Sequence, residues 1–209
     1  MRKQFAFSFF LFIGFSCTSF AQGKFDYGKI EKEVYKNKYF DLEIPLPKDW
    51  VVQNKEQMEQ LTELGKEAIT DDENMQALID AAEVNSAYLL TLFKYEVGAP
   101  VNSNLSFMVI AENTKNFPGI KTGKDYLFHA GKLMLATKLD YTIEDEFPKK
   151  KIGSKDFYAL SATLKIGDKV VYQQYMTTVL NGFSLSIVVS YSDDAEKQEL
   201  FSTVEKIKI

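Results

Sequence analysis

The last third of the chain is punctuated by three two-residue breaks, Gly153-Ser154, Gly167-Asp168 and Asn181-Gly182. Each is a pair that tolerates positive φ, which tight hairpin turns require. They separate apolar-rich runs near 140–152, 155–166, 169–180 and 183–191, the first interrupted near Pro148. Runs of this kind joined by turns of this kind predict an antiparallel meander. In the last run Phe183, Leu185, Ile187, Val189 and Tyr191 share one face; Ser184, Ser186, Ser190 and Val188 take the other. Leu160, Ala162, Leu164 and Ile166 are the matching apolar set two strands back. The hairpin over 175–194 is therefore expected to wall a core rather than carry a reactive centre.

The rest of the chain supplies cover for that sheet. Phe40, Leu42 and Ile44 alternate with Tyr39, Asp41 and Glu43, which marks a strand with one buried face. Glu31 to Lys36 reads as a weaker strand, turned at Asn37-Lys38, and Pro45 and Pro47 end the pairing. Two helices are expected over 57–83. Met58, Leu61, Leu64 or Gly65, Ala68 and Ile69 form the apolar face of the first, and Met75, Leu78, Ile79 and Ala82 that of the second. Strands follow near 86–96 and 104–112, then a loop over 113–122. Thr122 or Asp125 can cap a helix running to about Lys138. Asp193 or Asp194 caps a last helix whose Leu200, Phe201, Val204 and Ile207 dock it on the sheet, where the serine side is expected to let it come close. The expected fold class is α+β, a mainly antiparallel sheet with helices on both faces.

The opening segment reads as a leader. Arg2 and Lys3 precede a nearly unbroken apolar run from Phe5 to Cys17. As a helix that run rises about 20 Å, short of the roughly 30 Å hydrocarbon core of a bilayer. A signal peptide over 1–21 is expected, with Ser19-Phe20-Ala21 as the cleavage site. Gly14-Phe15-Ser16-Cys17 is a partial lipobox with Gly14 where an aliphatic residue is usual. Lipidation of Cys17 is thus the other processing route. Simple cleavage would leave no cysteine, hence no disulfide, thiolate nucleophile or thiolate metal site. Residues 22–30 are read as a short lead-in and 31–209 as a single domain. The formal charge of -4 falls further once Arg2 and Lys3 are removed, which disfavours nucleic acid as a partner. No later run is long and apolar enough for a transmembrane span in the mature chain.

Two stretches resemble a known family. The opening "YFDLEIPLPKDW", an aromatic strand running into a Pro-x-x-Trp corner, resembles the start of PsbP-like domains. The ending "VVYQQYMTTVLNGFSLSIVVSY" with "AEKQELFSTVEKIKI" resembles their last hairpin and helix. The resemblance covers roughly residues 38 to 209. It implies an α/β/α sandwich and a binding or assembly role without a shared catalytic set, as in exported bacterial lipoproteins of that fold.

Residues with chemical potential each have a plainer reading. His129 is the single histidine, so a histidine zinc site lacks ligands, and no Gly-x-Ser-x-Gly elbow accompanies it. Gly119-Ile120-Lys121-Thr122-Gly123-Lys124-Asp125 is too short for a phosphate loop and ends in a carboxylate. Asp71-Asp72-Glu73 lacks the alternation and central glycine of a calcium loop and reads as a helix start. Asp140, Glu144, Asp145 and Glu146 read as solvated strand-end acids, and Lys149-Lys150-Lys151 as a guarded sheet edge. No catalytic, cofactor-binding or metal-ligating set is expected. The loop "NTKNFPGIKTGK" is the least bland surface: Phe117 is a lid, a helix staple or a partner contact, with Lys115, Lys121 and Lys124 beside it.

The functional expectation is an exported, non-catalytic binding or accessory module of the bacterial cell envelope, bound to a protein or other envelope component. One alternative is a carrier of a small apolar ligand held between the sheet and the 57–83 helices. Another is a hydrolase using His129.

Overall fold

The computed structural model describes residues 25–54, 56–58, 60–61, 69–73, 76–77 and 85–209. The leader, Cys17 and most of the two helices expected over 57–83 lie outside the described residues. Of the first helix's expected face, Met58 and Ile69 are buried and Leu61 is half-buried.

Chain order begins with β1 (Lys29–Glu31), β2 (Val34–Asn37) and β3 (Leu42–Pro45), which pair as a small antiparallel sheet. Then come β4 (Val51–Val52), β5 (Ser86–Phe93) and β6 (Ser106–Asn113). Helix α1 (Gly123–Leu135) leads to β7 (Asp140–Ile143), β8 (Lys149–Ile152), β9 (Lys155–Ile166), β10 (Lys169–Leu180) and β11 (Phe183–Tyr191), and α2 (Asp194–Val204) closes the fold. The main sheet has eight strands in the order β4-β5-β6-β11-β10-β9-β7, with β8 also on β9. Every pairing is antiparallel.

The meander is as the turns dictate. Asn181 and Gly182 both have positive φ, 54° and 79°, and join Leu180 to Phe183. At the other two turns only the leading glycine is positive, Gly153 at 54° and Gly167 at 60°. The break near Pro148 separates β7 from β8. One hairpin was not legible. Lys32 and Glu33 take φ of 50° and 59°, so the weak strand expected over 31–36 is split by a turn, and β1 begins inside the stretch read as a lead-in. The pairing of β2 with β3 ends at Pro45, the last residue of β3, opposite Val34.

Alternation along each strand builds two cores. On the first face Phe183, Leu185, Ile187 and Val189 pack with Phe107, Val109 and Met176. The small sheet covers them with Tyr35, Phe40, Leu42 and Ile44, and α2 with Leu200 and Val204. On the second face Met108, Ile110, Tyr175, Val188, Leu160 and Ala162 lie under Tyr126, Leu127, Ala130 and Met134 of α1. Fully burying an aliphatic side chain contributes about 1.5–3 kcal/mol, so these two layers dominate stability. The fold is the α+β sandwich that the resemblance implied, with a helix on each face.

Two details of packing differ from expectation. Leu160 and Ala162 back the second face, because Met176, opposite Ile187, pairs with Ala159 rather than with either of them. The serine side does admit a helix closely, but that helix is α1. A Cβ on Gly123 would lie 1.9 Å from the Thr177 carbonyl oxygen. Thr177 and Ser186 bond to each other at 2.8 Å beneath it. Thr122 caps α1, accepting from the Asp125 N–H while the Asp125 carboxylate accepts from the Thr122 N–H at 2.8 Å. Asp193 caps α2. Trp50 ties the corner after β3 to that helix through a 3.2 Å bond from its indole N–H to Glu199, which also pairs with Lys94.

Candidate functional site

Among the described residues, two cavities stand out on this frame. The larger, about 750 Å³, runs between the small sheet and β5. Every residue from Ser86 to Thr91 lines it, and so does every residue from Tyr27 to Ile30. Neighbouring side chains of a strand point to opposite faces, so consecutive lining marks a strand edge. β4 pairs with Leu92 and Phe93 on the outer side of β5, the Gln53 N–H continues the contact to the Thr91 carbonyl at 2.9 Å, and the groove follows the strand from Ser86 to Thr91. The β5–β6 register shifts between Tyr88 and Leu90 within this stretch, as at a β-bulge.

The groove's lip is tied by hydrogen bonds. The Asp26 carboxylate accepts from the backbone N–H groups of Gly28 and Lys38 at 2.8 and 2.9 Å, and these bonds, Gly28's foremost, hold it below the usual carboxylate range. The Tyr35 hydroxyl donates to the Tyr27 carbonyl at 2.8 Å, and burial pushes it up to about 12. Gly28, at φ 74°, passes so close to Tyr35 that a Cβ there would lie 2.5 Å from the hydroxyl.

Groove lining is mixed. Ile30, Val52, Met58, Leu89 and Leu90 supply apolar surface. Gln53 Oε1 and Thr91 Oγ1, both buried, have no hydrogen-bond partner among the described residues. Leaving a buried polar atom unmet costs about 1–3 kcal/mol.

The smaller cavity, about 230 Å³, lies under the loop between β6 and α1. Its floor is Glu112, only 2% exposed. By alternation Glu112 belongs to the second face with Met108 and Ile110, and its register neighbours are Ser86 and Ser184. The Tyr126 hydroxyl donates to Glu112 Oε2 at 2.7 Å. Among the described residues no basic side chain pairs with the carboxyl. Burial therefore raises it to about 8, against the lowering effect of the Tyr126 bond. Phe117, Ile120 and His129 form the walls. The loop is braced by Phe117 N–H to Thr114 and Ile120 N–H to Phe117, both 2.9 Å.

No protein-family model matches the sequence, and no curated protein matches it. Among solved structures the chain is similar to cyanobacterial PsbP (CyanoP) from Synechocystis, at 12% identity and a TM-score of 0.49, over 92% of this chain and 98% of that one. It is also similar to LpqN of Mycobacterium tuberculosis, described as involved in cell envelope biogenesis, at 12% identity and a TM-score of 0.43, over 80% and 82% of the two chains. Both likenesses are ones of fold.

The residues singled out in the sequence are dispersed. Phe117 is half-buried and walls the small cavity, as a lid does. Lys115 turns to the opposite side, its ammonium 5.1 Å from the centre of the Phe183 ring, beside Gly182. Lys121 and Lys124 are exposed at the start of α1. Lys150 is not an edge guard: it turns inward, donating to Gln174 at 2.8 Å and lying over Phe201. His129 is exposed at the cavity mouth and has no hydrogen bond to a serine, aspartate or glutamate, so no triad is assembled on it among the described residues. Nor do those residues contain a cluster of three or more histidine, cysteine or acidic side chains able to hold a metal. Among them, no helix is long and apolar enough to cross a membrane. Sequence reading missed Glu112. Its signal was an acid in phase with Met108 and Ile110 in an otherwise apolar strand.

Proposed function

We propose that this protein is an exported, non-catalytic binding module of the cell envelope, and that it binds in the groove between β1 and the edge of β5. The observation that carries this reading is the groove itself: a cavity of about 750 Å³ lined by apolar Ile30, Val52 and Leu90 and by polar Gln53, Asn54 and Ser86. That combination suits an elongated amphipathic molecule whose body rests on Ile30, Val52 and Leu90 and whose polar group lies beside Gln53 and Asn54. The small-ligand form of the reading is thereby favoured over a purely protein partner. Export is supported by the leader pattern of Arg2, Lys3 and the Phe5–Cys17 run.

The test uses N-phenyl-1-naphthylamine, a neutral fluorophore with an apolar body and one N–H. Its fluorescence should rise saturably with the protein. Ile30→Glu and Val52→Glu place a charge at the exposed rim, where the fold tolerates it, and should weaken binding about tenfold without lowering the unfolding midpoint. Equal binding by wild type and both variants would refute the groove as the site.

A further inference from the structure

The smaller cavity has no part in the groove reading and has a buried carboxyl, Glu112, at its floor. We propose that the pocket beneath the 114–120 loop binds a small neutral molecule bearing a carbonyl-type hydrogen-bond acceptor, with the Glu112 carboxylic acid as the donor.

The geometry sets the carboxyl's state. Glu112 is 2% exposed and meets no cation among the described residues. An isolated carboxylate in such a place is strongly disfavoured, so the acid is held protonated. Its raised value of about 8 agrees. The groups that face it are few. From α1 come the Tyr126 hydroxyl at 2.7 Å and the imidazole of His129 at the pocket mouth. From β5 and β11 the neighbours in register are Ser86 and Ser184, both uncharged. From the loop the polar lining is Thr114 and Asn116.

Tyr126 also sets the carboxyl's direction. Its O–H donates to Oε2, so the acid proton resides on Oε1, the oxygen left for a ligand. Tyr126 is thus a positioning residue. A proton donor at the floor of a pocket walled by Phe117, Pro118 and Ile120 selects an acceptor on an apolar body. The same neutral donor gives no charge to attract an ammonium ion. About 230 Å³ suits a fragment of one ring rather than a drug-sized molecule. A buried donor of this sort has precedent in carboxylic acids kept neutral at pH 7 by an apolar site.

The experiment compares three ring-matched probes, cyclohexanone, cyclohexylammonium and methylcyclohexane, by saturation of amide shifts over 114–129 in the full chain. Cyclohexanone should bind at pH 6.5, at least about tenfold tighter than the other two. Raising the pH to 9.5 should weaken it about thirtyfold as the carboxyl ionises. Glu112→Gln keeps the shape and an N–H donor, so it should bind the ketone about equally at both pH values. Preference for the ammonium or the hydrocarbon, pH-independent ketone binding by wild type, or no ketone binding would each overturn the proposal.

Discussion

Tyr126 on α1 and Glu112 on β6 meet across the helix–sheet interface in a 2.7 Å hydrogen bond, and that bond is the only one the carboxyl makes among the described residues. The folded state holds the Glu112 proton up to about pH 8, whereas the ordinary carboxyl loses it near 4.5. Within that window the unfolded chain binds fewer protons than the native one. Stability contributed by this group therefore falls as pH rises through the window, by about 1.4 kcal/mol per pH unit, and levels off above pH 8. Glu112→Gln removes the titration. Denaturant midpoints at pH 5 and pH 8.5 should show the variant gaining on wild type as pH rises; a constant difference would mean that the native carboxyl is ionised throughout.

Tyr126→Phe leaves the carboxyl buried without its partner. The expected cost is about 1–3 kcal/mol at neutral pH. Because the Tyr126 bond lowers the Glu112 value, its loss should also extend the downward slope of stability above pH 8. A purely structural loss of packing would lower stability equally at every pH, so urea titrations across pH 6–10 separate the two.

Gly123 begins α1 directly over the backbone of β10. A Cβ would sit 1.9 Å from the Thr177 oxygen and 2.6 Å from its carbonyl carbon, and backbone in the centre of a sheet cannot retreat. Gly123→Ala should cost about 3 kcal/mol or displace the first turn of the helix. Gly119→Ala, where nothing lies within 4 Å of the added carbon, serves as the control and should leave the midpoint unchanged.

Asn181 does two things at the β10–β11 turn. It takes φ 54°, and its amide donates to the Tyr39 carbonyl at 2.7 Å, linking the hairpin to the loop before β3. Asn181→Gly should lose only the bond, about 1 kcal/mol. Asn181→Ala should lose the bond and add left-handed strain, for a total of about 2 kcal/mol. Equal thermal midpoints for the two variants would contradict the strain component.

The meander could be read from sequence because its turns carry residues suited to positive φ. The Lys32-Glu33 turn could not, since neither residue type advertises that conformation; the β1–β2 pairing and the Leu46 N–H donating to the Glu33 carbonyl at 2.8 Å hold it instead. Assigning Leu160 to a face failed for a related reason. A sheet buried on both sides is apolar on both sides, so alternation shows two faces without saying which neighbour covers each. Glu112 was visible as an acid in phase with Ile110. Its pocket was not, because that depends on where Phe117 and α1 are carried by the loop. The groove joins 27–30 to 86–91, segments far apart in sequence, through the backbone edges rather than through any side-chain pattern.

The most direct test of the proposed function is an amide-shift map of the protein titrated with N-phenyl-1-naphthylamine. Saturable shifts should concentrate at 27–30, 52–54 and 86–91, the segments that line the groove. Shifts confined to 114–129, or scattered over the surface without saturation, would contradict a ligand-binding groove at the edge of β5.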